Sequence, residues 1–351
     1  MRVKRITIIC VLLALLLTVS GVGVCFAEEG DNSENTPIPY ERIAGADRYE
    51  TSRLVANATA RGWLPLYEGV IITTGRDYAD ALGGAGLQGN GYAPAPVLLV
   101  NDDPQVMKAV AENIKEHYIN NPYEMTREIW IIGGKGAVSE EMENILANSG
   151  LPSYLLYRLS GSNRYETNLA VLGRSPFNKP LVICSSKNYA DALSASASRC
   201  PVMLVGDSLT QKQMEYVAKR QKYGVDKTCV IAGGNGAVSE KVEEQLKELG
   251  METTRLAGKD RYETSYLVAE YFTTSIPSGV VLAFGGDFPD GLSGAGLASD
   301  LSGPLLLVDN NHYMYAEQYV KDHSPMCIKV LGGVSLISNA TAERIASMSD
   351  L

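Results

Sequence analysis

The sequence is poor in the residues that most often carry metal and acid–base chemistry. Only 3 of its 351 residues are histidine and only 6 are cysteine. His117, His312 and His323 occupy unrelated positions, without the close spacing of a zinc hydrolase motif such as H-E-x-x-H. Neither a P-loop nor a G-x-S-x-G nucleophile motif occurs. The sequence therefore favours a binding protein over an enzyme, and predicts no metal and no cofactor.

Positive charge is also scarce. Lysine and arginine number 31 against 40 acidic residues, which gives a formal net charge of −9. Loss of the amino-terminal segment, which carries Arg2, Lys4 and Arg5, makes the net charge −12. Nucleic-acid binding depends on a basic surface, so nucleic acid is not an expected partner. An anionic partner has to meet a local cluster of arginines, because the overall field repels it.

The one long apolar run lies at the amino terminus. Ile6–Val19 follows a positively charged start and precedes the small-residue exit at Ala27. This pattern predicts a cleaved signal peptide at residues 1–27, followed by a linker at residues 28–40. The protein is therefore expected to be secreted, with no membrane association after cleavage. Cys25 leaves open a lipid-modified amino terminus.

Four cysteines remain after the signal peptide, and none belongs to a C-x-x-C pair. They are Cys184, Cys200, Cys229 and Cys327. Cys184 and Cys229 sit within apolar, strand-like runs. We interpret the four as free, buried thiols and not as a disulfide framework.

The same series of sequence motifs occurs three times along the chain. Each copy contains Arg-Tyr-Glu-Thr, then Asp-X-Leu, then a proline followed by apolar residues, then a Gly-Gly pair followed by serine. The Arg-Tyr-Glu-Thr motifs are Arg48–Thr51, Arg164–Thr167 and Arg261–Thr264, and the Gly-Gly pairs begin at Gly133, Gly233 and Gly332. This fixed order predicts three tandem repeats, at residues 41–150, 151–250 and 251–351.

Each repeat alternates apolar strands with amphipathic helices. In the first copy the predicted strands are 40–44, 70–74, 96–100 and 128–132, and the predicted helices are 48–60, 78–87, 104–118 and 139–148. Continuous apolar strands separated by helices are typical of a parallel sheet covered on both faces. The predicted fold class is α/β, with three tandem Rossmann-like or flavodoxin-like domains.

The repeated polar residues follow predicted strands, where ligands bind in open parallel sheets. Asp47, Asn163 and Asp260 precede the helices and form capping-box patterns with the repeated glutamate. Capping does not explain the repeated arginines Arg48, Arg164 and Arg261. Two interpretations stay open for them: contact with a ligand, or pairing with the repeated Asp80, Asp191 and Asp290 to fix one repeat against its neighbour.

Two predicted helices are rich in small residues, at Gly83–Gly86 and Ser293–Gly296. Their glycines lack the G-x-G-x-x-G order of a dinucleotide site and lie within helices, not at strand-to-helix turns. Close helix packing explains them better.

Taken together, the motifs resemble the bacterial cell wall binding repeat 2 family, which occurs in sets of three. The resemblance covers residues 41 to about 348 and includes the Arg-Leu/Ile-X-Gly segment before each Arg-Tyr-Glu-Thr motif. It implies three Rossmann-like domains around a pseudo-threefold axis, in a monomer that is an internal pseudo-trimer. It further implies non-covalent, multivalent anchoring to an anionic secondary polysaccharide of a Gram-positive cell wall.

The resemblance also suggests which residues contact the polymer. The family's Ile-Leu-Leu segment corresponds to Val97–Leu99, Val202–Leu204 and Leu305–Leu307. The full set expected to contact the polymer is Arg48, Arg164, Arg261, Tyr49, Tyr165, Tyr262, Leu98, Leu99, Met203, Leu204, Leu306 and Leu307. Met203 in the leucine run, Asn163 at a capping position and Phe288-Pro289 in the third Asp-X-Leu loop depart from the pattern, so unequal affinities are expected.

Two other functions remain open on the sequence alone. Modules of this family occur in wall hydrolases, so an amidase-type peptidoglycan hydrolase is one alternative. A surface adhesin or scaffold, with its outward face bound to other proteins, is the second. The sequence offers no candidate catalytic residue for the first of these.

Overall fold

The protein is described by a computed structural model that covers residues 37–59, 69–84, 87, 95–119, 128–151, 153–175 and 177–348. The predicted signal peptide, Cys25 and most of the predicted linker lie outside these residues. So do parts of the first repeat, including Ala85 and Gly86 of its small-residue helix.

Strands in the described residues form three sheets of four parallel strands each, which confirms the predicted α/β class. The strands are β1 (Tyr40–Ile43), β2 (Gly69–Thr74), β3 (Val97–Val100), β4 (Glu128–Ile132), β5 (Leu156–Leu159), β6 (Leu181–Ser185), β7 (Val202–Val205), β8 (Thr228–Ala232), β9 (Glu252–Leu256), β10 (Val280–Phe284), β11 (Leu305–Val308) and β12 (Ile328–Leu331). The sheet orders are β3-β2-β4-β5, β7-β6-β8-β9 and β11-β10-β12-β1.

Helices connect the strands and cover the sheets. They are α1 (Arg48–Thr59), α2 (Tyr78–Gly84), α3 (Pro104–Ile114), α4 (Glu140–Asn148), α5 (Arg164–Leu172), α6 (Ala190–Ser196), α7 (Gln211–Tyr223), α8 (Glu240–Glu248), α9 (Arg261–Phe272), α10 (Pro289–Asp300), α11 (Met314–His323) and α12 (Asn339–Ala346). A π-helical turn extends α3 over Lys115–Ile119, and a 3₁₀ turn at Ser153–Leu155 precedes β5. None of the helices in these ranges is long and apolar enough to cross a bilayer.

The sheets do not coincide with the sequence repeats. The first strand of each repeat completes the sheet of the preceding repeat: β5 pairs with β4, and β9 pairs with β8. The first strand of the chain closes the cycle, because β1 pairs with β12 from Tyr40↔Ile328 to Ile43↔Leu331. We therefore define lobe 1 as β2–β5, lobe 2 as β6–β9, and lobe 3 as β10–β12 with β1.

The same pairing corrects the predicted linker. Ile38 N donates to Ala346 O at 2.9 Å, and Ile328 N donates to Pro39 O at 3.0 Å. Ile38 is only 7% exposed and packs in the core of lobe 3. The last residues of the segment predicted as linker are therefore part of the fold, because Pro39 continues the pairing of β1 with β12 and Ile38 bonds to the end of α12.

In each sheet the two central strands and one edge strand are almost entirely buried, while the other edge strand, β1, β5 or β9, is partly exposed. The central strand β6 is buried along its whole length, and the edge strands β3, β7 and β11 are buried as well. Helix side chains satisfy these edges: Leu99 N donates to Ser52 Oγ at 3.0 Å, and Leu307 N donates to Ser265 Oγ at 3.0 Å. The cysteines in the described ranges are free, as predicted; Cys327 is half-buried and the other three are buried.

The small-residue helices let neighbouring elements approach closely, as the sequence suggested. A Cβ at Gly294 would lie 2.4 Å from Leu331 Cδ1, and one at Gly84 would lie 2.7 Å from Ile132 Cδ1. A Cβ at Gly296 would lie 2.9 Å from the backbone oxygen of Ala95, in the first repeat. These glycines therefore serve helix–sheet and inter-repeat packing.

Equivalent contacts join the three lobes in a cycle. Helix α2 packs on α5, α6 on α9, and α10 on α1, while α2, α6 and α10 also contact one another. Tyr78, Tyr189 and Phe288, which hold the same position in the three repeats, form a cluster of rings with centroids 5.8, 5.8 and 6.0 Å apart. This cyclic arrangement agrees with the expected pseudo-threefold relation of the repeats.

Candidate functional site

Each Arg-Tyr-Glu-Thr motif begins a helix just after the last strand of a sheet. Asp47 Oδ1 accepts hydrogen bonds from Tyr49 N and Glu50 N, both at 2.8 Å. In a capping box the glutamate would accept a hydrogen bond from the backbone N–H of Asp47. Here Glu50 Oε2 accepts instead from the N–H of the preceding residue, Ala46, at 2.7 Å. Asn163 and Asp260 cap α5 and α9 in the same way.

The repeated threonine fixes the loop before the helix. Thr51 Oγ1 accepts from Gly45 N at 3.0 Å, and Thr167 and Thr264 accept from Gly161 N and Gly258 N at 3.1 Å. The conformation of the loop that carries the arginine is therefore the same in the three repeats.

The repeated arginines lie where neighbouring repeats meet. Arg48, Arg164 and Arg261 donate to the carbonyl oxygens of Gly75, Ser186 and Gly285, which follow the first strand of the next lobe. The Arg48 guanidinium also lies 3.5 Å from Asp287 and over the Phe288 ring of the third repeat. Arg261 donates to the Tyr189 hydroxyl of the second repeat at 2.9 Å.

The repeated aspartates face these arginines across the junctions. Arg164 attracts the Asp80 carboxylate, Arg261 attracts that of Asp191, and Arg48 attracts that of Asp290. The described side chains do not form the bidentate arginine–aspartate pairs that the sequence allowed. Each guanidinium instead donates to a backbone carbonyl oxygen of its own repeat. The attraction nevertheless links each repeat to the one before it.

Each aspartate lies against the first glycine of its own lobe's Gly-Gly pair. Cβ atoms at Gly133, Gly233 and Gly332 would lie 2.8, 2.6 and 2.3 Å from Oδ2 of Asp80, Asp191 and Asp290. The three glycines also have positive φ angles of 114°, 112° and 86°. Glycine is required here both by the backbone conformation and by the approach of the carboxylate.

The arginine, the aspartate and the Gly-Gly loop thus meet at each junction, and an open cavity lies beside Arg164 and beside Arg48. We call the three junction sites the arginine clefts: cleft 1 has Arg164 and Asp80, cleft 2 has Arg261 and Asp191, and cleft 3 has Arg48 and Asp290. Each lies at the carboxyl ends of the two central strands of a sheet, where the strand order reverses. This is where open parallel sheets bind ligands.

The clefts differ in detail. A cavity of about 330 Å³ at cleft 1 is lined by Arg164, Asp80 and Asp77, and one of about 400 Å³ at cleft 3 by Arg48, Asp290 and Asp287. Asn188 takes the place of Asp77 and Asp287 in the second repeat. Cleft 2 therefore carries one carboxylate fewer than its counterparts.

The predicted tyrosines are partly buried behind the clefts. A Cβ at Gly75 would lie 2.6 Å from the Tyr49 ring, and one at Gly285 would lie 2.5 Å from the Tyr262 ring. Tyr165 accepts a hydrogen bond from Ser186 Oγ at 3.1 Å, and Tyr262 donates to Asp309. The tyrosines support the strand ends to which the arginines bond.

The predicted leucine contacts are wrong as surface contacts. Leu98, Leu99, Met203 and Leu204 have no exposed area, and Leu306 and Leu307 are only 1% and 2% exposed. Their strands are covered by helices on both faces, so a polymer on the surface does not reach these side chains. Their role is to form the cores that hold the clefts in place.

A second set of arginines was not assigned a role from the sequence. Arg42, Arg158 and Arg255 lie in β1, β5 and β9, and they donate to the carbonyl oxygens of Gly332, Gly133 and Gly233 at 2.8–2.9 Å. Arg42 also donates to Ile337 O at 2.7 Å. We call β1, β5 and β9 the exchanged strands, because each begins one repeat but pairs in the sheet of the preceding one. The three arginines bond each exchanged strand to the Gly-Gly loop of that preceding repeat. The signal was present in the repeated Arg-Leu/Ile-X-Gly segment.

Burial sets the ionisation of the cleft carboxylates. It raises the pKa of Asp80 and Asp290 and raises that of Asp191 to about 6, while the facing arginines act in the opposite direction. Asp191 is 7% exposed. The carboxylates of the clefts therefore titrate at a higher pH than exposed aspartates.

Asp191 makes stability depend on pH in a defined direction. Because its pKa is raised in the folded protein, its contribution is fully present below about pH 4 and is lost as the pH rises to about 6. Asp191→Asn cannot ionise. We expect the variant to gain on the order of 1–3 kcal/mol relative to the wild type between pH 4 and 7, measured by urea unfolding at each pH. A constant difference over this range would contradict the burial of the charge.

Each of the three repeats matches one known domain. The match is to cell wall binding domain 2 (CWB2), over residues 42–143, 158–243 and 255–342. The chain belongs to the CWB2 family. Each CWB2 match begins at the arginine of an exchanged strand, Arg42, Arg158 or Arg255, and ends within the last helix of the repeat. Proteins of this family bind the cell wall, which the family's name states.

Relatives and solved structures agree with this assignment. The chain is 28% identical to the amidase enhancer of Bacillus subtilis (strain 168) over 323 residues, and 26% identical to its N-acetylmuramoyl-L-alanine amidase LytC over 312 residues. The alignments cover 90% and 87% of this chain but 41% and 58% of those proteins. The chain thus spans about half the length of these two relatives.

Two clostridial structures share the fold. Cwp6 from Clostridium difficile superposes with a TM-score of 0.74 over 94% of this chain and 51% of its own, at 22% identity. Cwp8 from the same organism gives 0.72 over 89% of this chain and 52% of its own, at 23% identity. The fold of this chain therefore recurs in both of these proteins.

Proposed function

We propose that this CWB2 protein is secreted and attaches to the Gram-positive cell wall by binding an anionic secondary polysaccharide at its three arginine clefts. The observation that carries the proposal is the repetition of one constellation, an arginine, a buried or half-buried aspartate and a glycine loop, at each junction. The guanidinium groups of Arg164 and Arg48 each line an open cavity. Arg48 is 37% exposed at its side chain although it holds two repeats together.

The chemistry of a cleft suits a charged polysaccharide. The guanidinium donates hydrogen bonds and carries the positive charge that an anionic group requires. The aspartate and the backbone carbonyls accept hydrogen bonds, and sugar hydroxyls can both donate and accept them. A repeating polymer presents the same groups at intervals, so one rigid protein can engage several of them together.

We assign no catalytic role to the chain. Within the described ranges, no group of three or more histidine, cysteine or acidic side chains is placed to hold a metal ion. LytC is named an amidase, but this chain aligns with only 58% of its length, and the family that matches this chain is a cell wall binding domain. The proposal is therefore attachment, with the clefts as the sites of contact.

Purified walls test the proposal directly. Walls that keep their secondary polymer are expected to retain the protein at low salt, and to release it progressively as the salt concentration rises, because exposed charges are screened. Walls from which the polymer has been extracted are expected to retain about tenfold less protein or lower still. Equal retention on both wall preparations would reject a secondary polymer as the partner.

A further inference from the structure

A separate cavity lies at the other ends of the strands. It opens between repeats 2 and 3, at the amino-terminal ends of β6, β7 and β11, whereas the arginine clefts lie at carboxyl ends. Its volume of about 330 Å³ falls within the range of small-molecule sites, about 300–1,000 Å³. Pro201 and Pro304 immediately precede β7 and β11, and residues from both of the equivalent loops before these strands, 198–200 and 302–304, line the cavity.

The charge of this cavity is opposite to that of the whole protein. Lys179 and Arg199 line it, and none of its lining residues is acidic, although the chain carries a net charge of −9. Burial lowers the pKa of both Lys179 and Arg199 because desolvation disfavours the two cations. Asp300 attracts Arg199 from outside the lining. A bound anion would offset the cost of burying both charges.

Hydrogen bonds hold both cationic side chains at the wall of the cavity. Arg199 has a φ of 58° and donates from Nε to Ser299 Oγ at 3.0 Å and from Nη2 to Ser302 Oγ at 3.1 Å, across the junction. Lys179 Nζ donates to the carbonyl oxygen of Arg199 at 2.9 Å. This bond uses one of the three N–H donors of the ammonium group and leaves two for a ligand.

The remaining wall is suited to a small polar molecule with an apolar face. Thr273, Thr274 and Ser302 supply hydroxyl groups, while Phe272 and Pro304 supply apolar surface. We propose that this cavity binds one small phosphate ester of the sugar-phosphate class, with Lys179 and Arg199 on the phosphate. Arg199 corresponds to Ser302 in the third repeat, so the site belongs to this one junction.

Titration calorimetry on the secreted chain tests the site with three probes: glucose 1-phosphate, inorganic phosphate and glucose. We expect saturable binding of both phosphates at one per chain, and no saturable binding of glucose. Lys179→Gln is expected to weaken glucose 1-phosphate binding about tenfold or more, because a charge-assisted hydrogen bond is lost. Lys179→Arg keeps the charge and is expected to stay within about threefold of the wild type.

A matched control separates the site from the general field of the protein. Lys241→Gln makes the same change of charge at an exposed position of α8 and is expected to leave the affinity unchanged. Absence of phosphate binding by the wild type, equal binding by Lys179→Gln, or equal binding of glucose would overturn the proposal.

Discussion

A chain that begins at Ala44, and so lacks β1, is expected to lose several kcal/mol of its free energy of unfolding. Ile38 and Ile43 are each 7% exposed, and the burial of one isoleucine contributes about 1.5–3 kcal/mol. Arg42 adds hydrogen bonds to Gly332 O at 2.9 Å and Ile337 O at 2.7 Å. The truncation also leaves the β12 edge of lobe 3 unpaired.

Urea unfolding of this variant, compared with a chain that begins at Thr36, measures the contribution of β1. A synthetic peptide of residues 37–46 is expected to restore the lost stability, because it can add to the exposed edge as the native strand does. The same peptide with Arg42→Ala is the control and is expected to restore less. An unchanged midpoint after truncation would mean that β1 is not needed to close the repeats.

Replacement of all three cleft arginines is expected to lower wall affinity by about 10²–10⁴-fold. When three sites engage one polymer, each bound site raises the effective concentration for the next. Arg48→Gln, Arg164→Gln and Arg261→Gln, made singly, are therefore expected to cause much smaller losses than the triple variant. Among the single variants, Arg261→Gln is expected to lose the most wall affinity. Cleft 2, which contains Arg261, has one carboxylate fewer than the others and therefore repels an anion least.

The fold of these variants requires a check, because the arginines also lie where neighbouring repeats meet. Glutamine keeps a hydrogen-bond donor for the carbonyl oxygens of Gly75, Ser186 and Gly285. Arg344→Gln, an exposed arginine of α12 paired with Glu317, is the matched control for loss of charge. Equal wall affinity for the triple variant and the control would remove the arginines from the binding site.

Much of the fold follows from the repeated residues. The apolar strands, the caps at Asp47, Asn163 and Asp260, and the position of the polar motifs after strands could all be predicted. Short polar residues before a helix and continuous apolar runs act locally, so a single sequence reveals them. Pairing of the cleft arginines with the repeated aspartates was one of two open interpretations. Arg48 and Arg261 do contact the neighbouring repeat, but at Asp287, Phe288 and Tyr189.

The exchange of strands could not be predicted in the same way. A threefold pattern has no preferred starting point, so the motifs do not reveal whether β5 completes lobe 1 or begins lobe 2. The pairing is decided by long-range contacts such as Arg158 with Gly133 O and Glu143. The prediction that the leucine segments contact the polymer was wrong for a related reason. An apolar run such as Leu98-Leu99 does not reveal whether other elements cover both of its faces. In the structure both side chains are fully buried.

The central claim is that the three corresponding clefts bind one polymer simultaneously. The most direct measurement is the dissociation rate from immobilised, polymer-bearing wall for variants with three, two, one and no intact cleft arginines. The account predicts that each lost arginine accelerates dissociation by a further large factor, and that the order of removal matters little beyond the difference at Arg261. A rate that stays constant through the series, or that reaches its limit after any one substitution, would contradict it.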